Sequence, residues 1–83
     1  MKVVKVYSKS YCPYCTKAKQ LLKSKNISFQ EIDLTNDAET QARISAETGW
    51  QTVPMIFIGE KLIGGFDNLN ALNQKGELEK LLP

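Results

Sequence analysis

Ser10-Tyr11-Cys12-Pro13-Tyr14-Cys15 is the stretch that decides the fold, and it holds both cysteines of the 83 residues. Before it runs a β-branched segment, Val3-Val4-Lys5-Val6-Tyr7, the composition of a buried strand extending from Lys2 to Tyr7. After it, Cys15, Ala18, Leu21 and Leu22 fall at helical spacing, which predicts a helix from Pro13 to about Lys25. Pro13 suits the first helical position, because the N–H it lacks would be unpaired there anyway. Cys12 then falls at the N-cap, with its sulfur facing the free N–H groups of Tyr14 and Cys15. The positive end of the helix dipole favours a thiolate at that point. Cys15 lies a turn further in and is expected to be more covered. Cys12 is therefore the expected attacking thiol and Cys15 the resolving thiol.

Other uses of two such cysteines fit less well. Structural zinc needs four ligands, usually Cys or His, and this chain has two cysteines and no histidine. A structural disulfide closing so short a loop would remove little chain entropy.

Composition narrows the class further. Eighty-three residues suffice for one domain, and 42% hydrophobic with 24% charged residues is ordinary for a soluble globular protein. No apolar run approaches the length of a membrane span. Met1-Lys2-Val3-Val4-Lys5 lacks the apolar stretch of a secretory signal, and a free dithiol fits a reducing cytosol, so a cytoplasmic location is expected. The net charge of +2 hides an asymmetry: residues 1–25 carry seven lysines and no acid, residues 26–83 four basic and nine acidic residues. Lys17, Lys19, Lys23 and Lys25 mostly form a solvated helix face, or else a positive field that favours a thiolate and anionic substrates. Basic and aromatic residues do not interleave beyond Tyr11 and Tyr14, so nucleic acid is not an expected partner.

Further along, Asn26 is a plausible helix C-cap, and Ile27 to Leu34 reads as a second strand with Phe29, Ile32 and Leu34 in the core. Strand, helix and strand in this order suggest a parallel β-α-β unit. Asn36-Asp37-Ala38-Glu39 has capping-box spacing and opens a helix to about Thr48, stopped by Gly49. Its apolar face is thin: Ala38, Ala42, Ile44 and Ala46. Thr52-Val53-Pro54 leads into Met55-Ile56-Phe57-Ile58, and Gly59-Glu60 marks a hairpin turn back through Lys61-Leu62-Ile63. Gly64-Gly65 ends that strand, and Asp67 is expected to cap a third helix with Leu69 and Leu72 facing inward and Gly76 at its end. Glu77 to Leu82 adds a last helical turn or two, packed by Leu78, Leu81 and Leu82.

A Cys-x-x-Cys beside a β-α-β pattern reads as a thioredoxin-like redox motif. Lys9-x-x-Cys12-Pro13-Tyr14-Cys15, Thr52-Val53-Pro54, Gly64-Gly65-x-Asp67 and the element order together resemble the dithiol glutaredoxins, nearest the small bacterial glutaredoxin-3-like group. The resemblance covers nearly the whole chain. It implies an α/β thioredoxin fold in its minimal form, β-α-β-α-β-β-α, with a four-stranded mixed sheet flanked by helices and one glutaredoxin domain over residues 1–83. It implies glutathione as co-substrate, no metal, and a cis Val53–Pro54 bond that turns the Val53 N–H and C=O toward Cys12.

By the same resemblance the glutathione site comprises Lys9, Tyr14, Gln41, Thr52, Val53, Pro54, Gly65, Phe66 and Asp67. Lys9 and Gln41 would face the glycine carboxylate, and Tyr14 would flank the groove. Asp67 would meet the γ-glutamyl ammonium, and the Phe66 and Asp67 N–H groups a carboxylate. Each has a plainer reading: Lys9 as a surface lysine, Tyr14 as helix-start packing, Gln41 as an exposed helix residue. The chain also departs from the family pattern. Phe66 stands where many relatives have cysteine, Trp50-Gln51 where many have arginine, and Asn68 where an acid is common.

The implied activity is glutathione-dependent reduction of protein disulfides and protein–glutathione mixed disulfides by a monomer. Its clients carry disulfides or bound glutathione, with ribonucleotide reductase a family-level expectation. Two other readings stay open: a related electron donor reduced by thioredoxin reductase, and an iron–sulfur carrier in which two chains and two glutathiones supply four thiolates. Pro13 stiffens the loop and disfavours the latter.

Overall fold

The computed structural model describes residues 3–81. Strand β1 spans Val4–Ser8, helix α1 Pro13–Ser24, β2 Gln30–Asp33, α2 Ala38–Thr48, β3 Met55–Ile58, β4 Lys61–Gly64 and α3 Phe66–Gln74, followed by a 3-10 turn at Glu79–Leu81. The expected order is therefore present. Lys2 and Leu82, assigned to the first strand and to the last helical turn, lie outside the described residues.

β1 is central because it is apolar on one face: Val4, Val6 and Ser8 are buried in alternation with half-buried Lys5 and Tyr7. The sheet order is β2-β1-β3-β4. β1 pairs parallel with β2, from Lys5 opposite Gln30 to Ser8 opposite Asp33. It pairs antiparallel with β3, from Val4 opposite Ile58 to Tyr7 opposite Met55, and β3 returns antiparallel through β4. On the other side of the strand Tyr7 meets Phe57 edge to face, with ring centroids 5.6 Å apart.

One core joins the sheet to two helices. Val4, Val6, Ile56 and Ile58 pack with Ala18 and Leu22 of α1, Leu69 of α3, and Leu78. Leu21, Ile27, Phe29, Ile63, Phe66, Leu72 and Leu81 close around them, half-buried. The apolar stripe of α1 thus does what its spacing predicts. α2 is attached by less, since Ile44 is its one buried residue and Ala38, Ala42 and Ala46 are exposed.

β2 begins at Gln30 rather than Ile27, because the Ile27 N–H still bonds to Leu22 O (2.9 Å) at the end of α1. Leu34 is buried, while Phe29 and Ile32 are half-buried. The one buried polar residue among the described residues, Ser8, donates its hydroxyl to Glu31 Oε2 at 2.8 Å. Lys19 Nζ donates to the same oxygen at 2.7 Å, tying α1 to β2. Lys19 and then Ser8 hold the Glu31 carboxyl below its usual range.

Helix ends differ from expectation by one or two residues. α1 is capped at Lys25, and Asn26, one position later, takes the left-handed conformation (φ 57°). The N-cap of α2 is Asp37, not Asn36, since Asp37 Oδ1 accepts the Thr40 N–H at 3.1 Å. Gly49, at φ 79°, stops α2 as expected.

The larger correction concerns α3. Asp67 does not cap it; Gly65 is the N-cap and Asp67 is the second helical residue. The reason is Gly64, whose φ of 121° turns the chain out of β4 at once, so the helix starts at Phe66. Asn68 Oδ1 reaches back to accept the Gly65 N–H at 3.2 Å. Asp67 instead places its charge in the first turn, where the helix dipole favours an anion.

Candidate active site

The loop from β1 to α1 is held at both ends. Ser10 N–H donates to Thr35 Oγ1 (2.9 Å), and Cys12 N–H donates to Lys9 O (3.2 Å). Thr35 is itself fixed by Asp33, whose carboxyl accepts its N–H at 2.8 Å and its hydroxyl. Those two bonds hold the Asp33 carboxyl below its ordinary value.

Cys12 is the N-cap of α1, and its sulfur accepts the Cys15 N–H at 3.1 Å. The predicted placement holds for Cys15; no bond from the Tyr14 N–H accompanies it. The Cys12 thiol also donates to Val53 O at 3.6 Å. The Val53–Pro54 bond is cis, and the Val53 carbonyl faces Cys12, as the resemblance implied.

Both thiols are free, but their settings differ. Cys12 is half-buried at the helix start, whereas Cys15 is fully buried against α1's core face. Burial first, and then the hydrogen bond with Cys12, push the Cys15 thiol up to about 12. A weakly exposed thiol that stays protonated is a poor first nucleophile. Iodoacetamide at neutral pH is accordingly expected to alkylate Cys12 alone, with Cys15 labelled only after unfolding; native-state label on Cys15 by peptide mapping would contradict this. The raised value also has a sign for stability. The unfolded thiol ionises near 9.0 and the folded one near 12, so the contribution of Cys15 is complete below about pH 9 and is lost as pH rises toward 12. Cys15→Ser should flatten that alkaline loss in chemical denaturation midpoints.

Beside the thiols lies a groove of about 430 Å³. Its walls come from three places: Tyr14 on α1, Trp50 and Thr52 to Pro54 before β3, and Gly65 to Asn68 at the start of α3. Tyr14 and Phe66 face each other with ring centroids 6.3 Å apart, and Lys17 Nζ sits 5.1 Å from the Tyr14 centroid. The first turn of α3 leaves its N–H groups unpaired within the helix, a setting that suits a carboxylate.

Of the residues singled out from sequence, Tyr14, Thr52, Val53, Pro54, Gly65, Phe66 and Asp67 line this groove together. Lys9 and Gln41 do not line it. Lys9 stands in the loop before Cys12, and Gln41 is half-buried on α2. Two wall residues had no site role in the sequence reading. Asn68 could have been found from its three-residue spacing after Gly65, the spacing of a capping pair. Trp50 signalled itself as the sole tryptophan, set in a polar segment, and with Gln51 as a departure from the family pattern. Its ring rests on Gly65: a Cβ there would lie 3.2 Å from Trp50 Cζ2. Its Nε1–H is buried without a partner, which costs about 1–3 kcal/mol. Among the described residues, no three His, Cys, Asp or Glu side chains cluster as metal ligands.

Comparison with known proteins gives a single answer. The glutaredoxin family model matches residues 4–63. A glutaredoxin of Pseudomonas aeruginosa is 45% identical over 82 residues, covering 99% of this chain and 98% of that one. Glutaredoxin 3 of Escherichia coli K12 is 46% identical over 79 residues, 95% of each chain. Among solved structures, a buckwheat glutaredoxin–glutathione complex superposes with a TM-score of 0.91 at 36% identity, covering 98% of this chain and 76% of that one.

Proposed function

This chain belongs to the glutaredoxin family and is a thiol–disulfide oxidoreductase; we propose that Cys12 is its nucleophile, Cys15 its resolving thiol, and the groove beside them its glutathione site. The observation that carries this is the contrast between the two sulfurs. Cys12 caps a helix and accepts the Cys15 N–H, while Cys15 is buried and held protonated. The whole chain acts as one domain and as a monomer, and its setting is the cytoplasm.

In the monothiol route the Cys12 thiolate attacks the glutathione sulfur of a protein–glutathione disulfide. The Cys12–glutathione bond forms, the old S–S bond breaks, and the client leaves as a thiolate that takes a proton from water. A second glutathione thiolate then attacks the bound glutathione sulfur, releasing oxidised glutathione and restoring Cys12. In the dithiol route Cys12 attacks a client disulfide, and Cys15 attacks Cys12 in turn. The client leaves as a dithiol, and two glutathiones reduce the Cys12–Cys15 disulfide. Two of the causes that keep Cys15 protonated are the Cys12 hydrogen bond and the Cys12 charge. Both are weakened once Cys12 is in a disulfide, so Cys15 becomes easier to ionise when it is needed. Ribonucleotide reductase is one client of suitable chemistry.

Tyr14 and Phe66 flank the glutathione, the Val53 backbone pairs with its peptide, and the start of α3 takes its γ-glutamyl carboxylate while Asp67 meets the ammonium. Thr52, Pro54 and Gly65 shape the wall; Lys9 and Gln41 would reach the glycine carboxylate from outside it. A coupled assay with NADPH, glutathione reductase, glutathione and a glutathionylated peptide tests the reading. Turnover is expected to vanish when glutathione is omitted, and turnover sustained by thioredoxin reductase in its place would overturn it. Asp67→Lys should raise KM for the glutathionylated peptide by roughly tenfold with kcat little changed. One charge pair near 4 Å is worth about 1 kcal/mol in water, and reversal turns attraction into repulsion. An unchanged KM in the folded variant would remove Asp67 from the site.

A further inference from the structure

The indole N–H of Trp50 is a buried donor with no protein acceptor among the described residues, in a wall of the groove that the reaction leaves unexplained. Its position is fixed by Gly65, because Trp50 Cζ2 is the atom a Gly65 side chain would strike at 3.2 Å. Cζ2 and Nε1 share one edge of the indole. The orphaned N–H therefore lies near Gly65, the N-cap of α3, whose first N–H groups have no partner within the helix. Asn68 satisfies Gly65 N–H from its own side chain, so the local acceptor is already engaged. Buried donors without partners are rare in folded proteins and call for an explanation.

We propose that Trp50 is a specificity-determining residue of this groove, whose indole N–H donates to the carboxylate of the γ-glutamyl group. This rests on the glutathione reading above and adds a residue to it. In the free protein the N–H is covered, so the ring tilts off Gly65 when ligand enters and exchanges an unpaired donor for a charge-assisted hydrogen bond. Bonds of that kind are stronger than neutral ones. A glycine at 65 is what permits the ring to rest there when the groove is empty. The ligand feature recognised is a carboxylate; a mixed disulfide that lacks one gains nothing from Trp50.

Two measurements test this. Trp50→Phe keeps an aromatic ring on Gly65 and removes only the donor and part of the ring. It is expected to be at least as stable as the parent, while KM for a glutathionylated peptide rises about five- to tenfold and kcat stays put. The same peptide carrying cysteamine, which has no carboxylate, should show no change in KM. Loss of stability with an equal effect on both peptides would make Trp50 a packing residue and overturn the inference, as would an unchanged KM for both. Because Trp50 is the only tryptophan, the parent chain also gives a single indole N–H cross-peak in a proton–nitrogen spectrum. In Cys15→Ser carrying glutathione on Cys12, that peak should move downfield and exchange more slowly than in the Cys12–cysteamine adduct. Identical peaks in the two adducts overturn the inference whether or not Trp50→Phe folds. If the parent itself fails to prefer the glutathione peptide over the cysteamine peptide, the glutathione reading falls and takes this inference with it. If the preference exists and survives Trp50→Phe, only the role of Trp50 falls.

Discussion

Cys12→Ser is expected to abolish both removal of glutathione from proteins and reduction of protein disulfides, whereas Cys15→Ser should lose only the second. Serine matches cysteine in shape but cannot displace a disulfide at neutral pH. Removing glutathione needs one attacking thiol at the groove, and Cys12 is the half-buried sulfur at the start of α1. The activity of Cys15→Ser should even rise, since the Cys12–Cys15 disulfide can no longer form in competition. Reducing a client disulfide needs a second thiol to release Cys12, and Cys15 is the only other cysteine in the chain. In Cys15→Ser a Cys12–client adduct should accumulate and be visible by mass. Equal loss of glutathione removal in the two variants, both folded, would overturn the assigned roles.

Leu22→Ala should be the most damaging single change to the fold. Leu22 is fully buried between β1, β3 and α3, about two turns beyond Cys15 on the same helix face. Cutting such a leucine back to alanine costs about 2–5 kcal/mol, against a total stability for small domains of about 5–15 kcal/mol. For a chain of this size that lowers the thermal midpoint by roughly 10–30 °C. Calorimetry showing a drop of only a few degrees would mean that the α1 core face tolerates collapse. The change also bears on chemistry, because the same face buries Cys15. A looser α1 should expose Cys15 to iodoacetamide in the folded protein.

Much of this was legible in the sequence because local and tertiary signals agree. Val4 and Val6 alternate with polar neighbours, Pro13 opens a helix, and Cys15, Ala18 and Leu22 share its inner face. The proposed thiol roles rest on that geometry alone. Thr52-Val53-Pro54 and Gly64-Gly65 were recognised by resemblance, and their meeting in one groove is a tertiary fact that spacing cannot supply. Where expectation missed, the cause was a backbone detail. Asp67 has good capping chemistry, but the φ of Gly64 starts the helix two residues earlier. Ile27 has strand chemistry, but its N–H is taken by the end of α1. Trp50 was invisible as a wall because the ring's seat depends on a glycine fifteen positions away.

The thin attachment of α2 has a consequence for how this protein breathes. A helix that buries Ile44 alone can detach without disturbing the cluster that α1 and α3 share with the sheet. Local openings of that kind need far less free energy than global unfolding. Backbone amides of α2 should therefore exchange with deuterium well before those of α1 and β1, as a separate cooperative unit. Gln41 rides on that unit, whereas Tyr14, Val53, Phe66 and Asp67 do not. Any hold that α2 has on a ligand should therefore be intermittent, while the backbone of the wall built from α1, α3 and the segment before β3 stays in place.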